Sequence, residues 1–209
     1  MQFTPVPREE MPPFLQEVYD RSAEVGDTKL IQAGGSAPEI MKWYFQDFYA
    51  KLFYSGRVDI RTKELVRLRL TRTHGCALCN KWDASDALEA GVEPEIVDAV
   101  TGWPEEVGDA AFSDKEWAAL RYADQMALQN MDGALDDELW ADLRAHFDEG
   151  ELFELGIVMA VFTGMYKFIF IADLTPKMAH CPIPGNEGVS GDWQIGPAKR
   201  LATSGSFQR

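Results

Sequence analysis

The stretch that decides the fold runs from Asp59 to Ala90, DIRTKELVRLRLTRTHGCALCNKWDASDALEA. Ile60, Leu65 and Leu68 recur at helical spacing, which predicts a helix over 59–73 with one apolar face and a charged, solvated face opposite. A break at His74-Gly75 leads into a second helix, 76–89, stopped at Gly91. Working outward, the same period dominates. It predicts helices over 13–25, ended by Gly26, and over 37–55, with Ser36 as N-cap, Pro38 in the first turn and Gly56 as the stop. Further helices are expected over 93–101, 113–130, 136–147 and 150–173. Ser113 and Glu116 form a capping box at the start of the third-last. Alternating runs between turn pairs are scarce, so the fold class expected is all-α, a multi-helix bundle. No internal repeat is present.

Composition narrows the function classes. The chain has 209 residues, 46% hydrophobic and 26% charged, which is a globular rather than a disordered balance. Its 34 acidic against 20 basic residues give a net charge of -14, a field that repels nucleic acid and anionic membrane surfaces. Three cysteines cannot build an extracellular disulfide framework. The start, MQFTPVPREEMPP, has no apolar leader core, so a cytoplasmic location is expected. Leu155–Ala172 is long and apolar enough for a marginal membrane span. Lys167 inside it and acidic Glu151, Glu154 and Asp173 at its flanks predict a central core helix instead. The organisation expected is an N-terminal arm and first helix over 1–35, a helical domain over 36–174, and an extended tail over 175–209. That tail holds Pro182, Pro184, Trp193 and Ile195, and is expected to lie against its own body or a neighbouring subunit.

Cys76 and Cys79 form a C-x-x-C at a helix start. Residues three apart share a helix face, and the positive helix end favours thiolate. The pair reads as a redox couple, as half of a metal site, or as simple packing. Zinc needs four ligands, and Cys181 and His180 could complete a set only if the tail folds back, so no metal is expected. Asp83 lies on the same stripe, either as a carboxylate that moves protons or as a solvated surface residue. Glu64 is either a second such carboxylate or the partner of Arg61 or Arg67 in an i,i+3 ion pair. His74 could reach Cys76 or stand as an exposed loop histidine. The aromatic run Trp43, Tyr44, Phe45, Phe48, Tyr49, Phe53, Tyr54 reads as core, subunit interface or an apolar pocket wall. There is no dinucleotide or phosphate loop, so no cofactor is expected.

The spacing Glu64-x11-Cys76-x2-Cys79-x3-Asp83 resembles the carboxymuconolactone decarboxylase / AhpD-like alkylhydroperoxidase superfamily, whose redox branch carries E-x11-C-x2-C-x3-H. The stretches APEIMKWYFQDFYAKLFYSGRVDIRTKELVRLRLTRTHGCALC, FSDKEWAALRYADQM and FDEGELFELGIVMAVFTGMYKFIFIADL look like that family's core and following helices. The resemblance spans about residues 36–174. It implies an AhpD-like helical bundle that assembles as a homo-oligomer, a trimer or hexamer, with a dimer also open. It implies a thiol-dependent peroxidase or disulfide oxidoreductase in which Cys76 and Cys79 cycle between dithiol and disulfide. Glu64 would be the relay carboxylate, and a thiol protein the reductant. Asp83 stands where that branch has its relay histidine, so either Asp83 has a pKa raised by burial beside Glu64, or His74 substitutes, or the relay is broken. The family's other branch decarboxylates a lactone and usually lacks the C-x-x-C. On that alternative the substrate is a small organic acid, and Arg57, Arg61 and Arg67 would meet its carboxylates. A third reading is a non-catalytic oligomeric binding homologue.

Overall fold

Asp59 shows why the decisive helix begins where it does: its carboxylate accepts from the Thr62 N–H at 2.9 Å and its second oxygen contacts the Thr62 hydroxyl at 3.0 Å. The computed structural model describes residues 1–24, 27–74, 77–101, 112–128, 130 and 132–174. After a short 3-10 turn at Arg8–Glu10 come α1 (Pro13–Glu24), α2 (Lys29–Gly34), α3 (Pro38–Lys42) and a π-helix (Trp43–Phe53). Then follow α4 (Ile60–His74), α5 (Ala77–Glu89), α6 (Pro94–Thr101), α7 (Asp114–Gln125), α8 (Asp137–Arg144) and α9 (Glu149–Ile171). No strand occurs among the described residues, and the fold class is all-α. The expected tail, 175–209, lies outside the described residues.

Local chemistry accounts for the boundaries. The capping box of Ser113 and Glu116 is formed at the start of α7. Asp136 caps α8, accepting from the Leu139 N–H at 2.8 Å. Gly91, at φ +86°, ends α5 in a left-handed turn that lets the Val92 N–H reach the Ala87 carbonyl at 2.9 Å. Four points differ from expectation. α2 was not foreseen. The helix expected over 37–55 is α3 followed by the π-helix, in which rings five apart meet: Tyr44 and Tyr49 lie 5.2 Å apart, Tyr49 and Tyr54 5.9 Å. Ala37 takes the N-cap position, because the Ser36 hydroxyl donates to the Ala33 carbonyl instead. α7 stops at Gln125, where Asn130 folds back to donate to the Asp124 carbonyl at 3.1 Å.

The helices form two units. Among the described residues, one comprises Met1–Gly56 and 167–174; the other is Arg57–Tyr166. In the first, Met11, Leu15, Ile31 and Met41 make a core, and Tyr44, Phe48 and Phe53 are the buried rings of the π-helix. In the second, Leu65 and Leu68 of α4 pack with Ala87 and Val92, with Val97 and Val100 of α6, and with Trp117 and Leu120 of α7. Each such side chain contributes about 1.5–3 kcal/mol by leaving water.

Two helices exchange the roles expected of them. α4, read as half solvated, is buried on every side: Lys63, Glu64, Arg67 and Arg69 are each at most 2% exposed. α9, read as the central core helix, buries Leu152, Leu155, Val158, Met159 and Phe162 but leaves Phe153 72% and Ile157 41% exposed. α9 is also the one described helix long and apolar enough to cross a membrane. Burial of α4 is possible because its charges have partners. Lys63 Nζ meets Glu154 Oε1 at 2.8 Å, and Arg69 Nε donates to Asp124 Oδ1 at 2.9 Å.

Candidate active site

The site residues within the described chain belong to one unit, and α4 supplies most of them. Helical spacing on α4 puts Glu64, Arg67, Thr71 and His74 on one side, three to four residues apart. α5 faces them with Asp83 and Asp86, and α9 contributes Phe162 and Tyr166.

Arg67 is the hub. Its guanidinium donates to Glu64 Oε2, lies 3.2 Å from Asp86 Oδ2 and 3.6 Å from Asp83 Oδ1, and sits over the Phe162 ring. One cation therefore serves three carboxylates, two of them buried. Burial pushes Glu64 up to about 7, against the opposing pull of Arg67 and with help from the neighbouring Asp83 charge. Only one oxygen of Glu64 is held: among the described residues, its buried Oε1 has no hydrogen-bond partner.

Asp83 is buried, not a solvated surface residue. Burial raises it above the ordinary carboxylate range, opposed by Arg67 and by the Thr71 and Tyr166 hydroxyls. The Thr71 hydroxyl contacts Asp83 Oδ2, and the Tyr166 hydroxyl donates to the same oxygen at 2.8 Å. Thr71 Oγ1 and Tyr166 Oη are themselves 2.6 Å apart. Tyr166 is pushed well above its ordinary value, first by burial and then by the Asp83 charge, so it remains a proton donor.

His74 is not an exposed loop residue. It is the last residue of α4 and is 7% exposed, because its ring packs against Tyr166 at 5.5 Å and its Nε2 accepts from the Leu128 N–H at 3.4 Å. Cys76 lies outside the described residues. Cys79 falls on α5, one turn before Asp83, and its side chain lies outside them too.

The structure thus brings together Glu64, Asp83 and the region of His74. Sequence reasoning missed Thr71 and Tyr166, which stand 95 positions apart, and no pattern links them. Of the arginines considered for substrate carboxylates, Arg67 is committed to the internal carboxylates. Arg61 bonds Glu116 at 2.7 Å and Glu93 at 2.5 Å. No group of three or more metal-ligating side chains occurs among the described residues.

Residues 38–125, which include α4, α5 and this carboxylate cluster, match the carboxymuconolactone decarboxylase family. This segment belongs to the carboxymuconolactone decarboxylase family. The chain is also similar to the uncharacterized protein YdfG of Bacillus subtilis (strain 168), 28% identical over 59% of this chain and 80% of that one. Two solved structures share the fold. One is a protein of unknown function from Agrobacterium tumefaciens, whose suggested name is antioxidant defence protein AhpD. It has a TM-score of 0.58 and 19% identity, covering 69% of this chain and 95% of that one. The other is a cysteine-to-alanine variant of the debrominase Bmp8 in complex with 2,3,4-tribromopyrrole. It has a TM-score of 0.65 and 18% identity, covering 86% of this chain and 93% of that one. At those identities the likeness establishes the AhpD-like all-α fold and nothing finer.

Proposed function

We propose that the protein is a thiol-dependent peroxidase of the AhpD-like type, working through Cys76 and Cys79 with Glu64 and Asp83 as proton carriers. The observation that carries the reading is Glu64: a buried carboxyl at about 7, with one oxygen held by Arg67 and the other without a partner among the described residues. A group titrating near neutrality can both take and return a proton, which an ordinary aspartate or glutamate cannot.

The steps balance as follows. One thiol gives its proton to the carboxylate system. The resulting thiolate attacks a peroxide oxygen, the O–O bond breaks, and the departing alkoxide takes a proton to leave as alcohol. The cysteine is then a sulfenic acid. The second thiol displaces that oxygen, its own proton completing the departing water, and the disulfide forms. A dithiol protein restores the pair by exchange.

The decarboxylase reading has less support, since Arg61 and Arg67 already serve internal carboxylates. No cofactor or metal enters the proposed chemistry. The protein is expected to act in the cytoplasm and to assemble with its own copies. Phe153 and Ile157, exposed on α9, are apolar surface that such assembly would cover. The deciding experiment measures reduction of hydrogen peroxide and an organic hydroperoxide with a dithiol reductant. Turnover should be lost in both Cys76→Ser and Cys79→Ser; turnover kept in the double variant would exclude the reading.

A further inference from the structure

Asp83 occupies the place at which an imidazole would be expected for proton relay, and its surroundings explain how a carboxylate can serve there. Asp83 Oδ2, Thr71 Oγ1 and Tyr166 Oη form a closed triangle of hydrogen-bond contacts. All three residues are at most 8% exposed. Two hydroxyls bring two hydrogens, whereas three oxygen–oxygen contacts need three. The missing hydrogen is the one that a protonated Asp83 supplies.

We infer that Thr71 and Tyr166 are positioning residues that make Asp83 a proton store, by turning their hydroxyls to suit either of its states. With Asp83 ionised, both hydroxyls donate to Oδ2. When Oδ2 gains a proton it donates to Thr71, the Thr71 hydroxyl turns to donate to Tyr166, and Tyr166 continues to donate to Oδ2. One proton is taken up, and the Thr71–Tyr166 contact, which lacks a hydrogen while Asp83 is ionised, gains one. The proton comes from the thiol and returns to the leaving oxygen, so the inference rests on the thiol-redox reading for its role in turnover, although not for its geometry.

Among the described residues, the charged and titratable groups facing Asp83 are few. They are Arg67, 3.6 Å away, and Glu64 on α4, Asp86 on α5, and Tyr166 on α9, with His74 of α4 beyond the Tyr166 ring. Tyr166 stays neutral, and Arg67 is held between Glu64 and Asp86, so the two hydroxyls are the neutral partners able to follow the proton. They come from different helices, α4 and α9, and both reach Asp83 on α5.

The test uses the full-length protein carrying carbon-13 at aspartate carboxyls, with Asp83 assigned through Asp83→Asn. Its titration is followed by NMR in wild type, Tyr166→Phe, Thr71→Val and Thr71→Ser. Each lost hydroxyl removes a hydrogen bond that favours the charged form. Tyr166→Phe and Thr71→Val should therefore each raise the Asp83 midpoint by about one pH unit. Thr71→Ser, which keeps the hydroxyl, should restore the wild-type value. The acid limb of peroxide turnover should move by the same amount in the same variants. Unchanged Asp83 titration in folded Tyr166→Phe and Thr71→Val would overturn the inference. So would a shift that Thr71→Ser fails to reverse, because the hydroxyl would then not be its cause. Should the cysteine variants keep turnover, the peroxidase reading fails by itself, and the NMR titration still decides the triangle.

Discussion

Lys63 on α4 and Glu154 on α9 form an ion pair at 2.8 Å with side-chain exposures of 0% and 7%. Glu154 also accepts from the Arg57 and Val58 N–H groups at 2.7 and 3.1 Å, just before α4 begins. One carboxylate therefore neutralises a buried ammonium and anchors the approach to the helix that carries the site. Burial alone would raise Glu154, but Lys63 and these two N–H groups outweigh it and hold the carboxyl below its ordinary value.

Removing that partner should be costly. Glu154→Ala removes the ion pair with buried Lys63 and the acceptor of two N–H groups, with a loss of about 3–5 kcal/mol expected. For a chain of this size that is a fall in Tm of roughly 10 °C. Lys63→Met combined with Glu154→Leu should recover part of the loss and not all of it, since the Arg57 and Val58 N–H groups remain without their acceptor. Thermal unfolding of the three proteins checks the order.

Glu64 links stability to pH in the opposite sense. Its folded value of about 7 exceeds the ordinary 4.5. Between those values the folded state keeps a proton that the unfolded chain has released, so stability falls as pH rises through that window. A shift of that size corresponds to about 3 kcal/mol. Glu64→Gln imitates the protonated form. It should be at least as stable as wild type above pH 7, with the difference shrinking toward pH 4.5, while peroxide turnover drops. Urea unfolding at several pH values, paired with activity, measures both.

How much of this was legible follows from what a pattern can encode. The positions of Glu64 and Asp83 relative to the two cysteines are local spacings, and Arg67 meets both carboxylates. The roles of α4 and α9 were not legible. Hydropathy registers residue type and not partners, and Arg69 meets its buried partner Asp124 at a separation of 55 residues. Without those partners α4 reads as half solvated. Conversely, α9 is apolar all round, yet exposed Phe153 and Ile157 show that it buries one side only within the chain. Tyr166 was hidden among the apolar residues of α9, because nothing in an aromatic's neighbours announces a carboxylate 83 positions earlier.

Exposed Phe153 and Ile157 give a prediction about assembly. The wild-type chain should run as an oligomer by sedimentation or light scattering, and Ile157→Lys, which places a charge on that surface, should reduce its mass without lowering helix content. A monomeric wild type at micromolar concentration would contradict the expected self-association.

The central claim is that Cys76 and Cys79 exchange electrons with peroxide. Its most direct measurement is peptide mass spectrometry of the reduced protein after one equivalent of hydrogen peroxide, under conditions that block free thiols. The account predicts one disulfide joining Cys76 to Cys79, with Cys181 recovered as a thiol, and slower formation of that bond in Glu64→Gln. Recovery of Cys76 and Cys79 as free thiols, with the peroxide unconsumed, would contradict it.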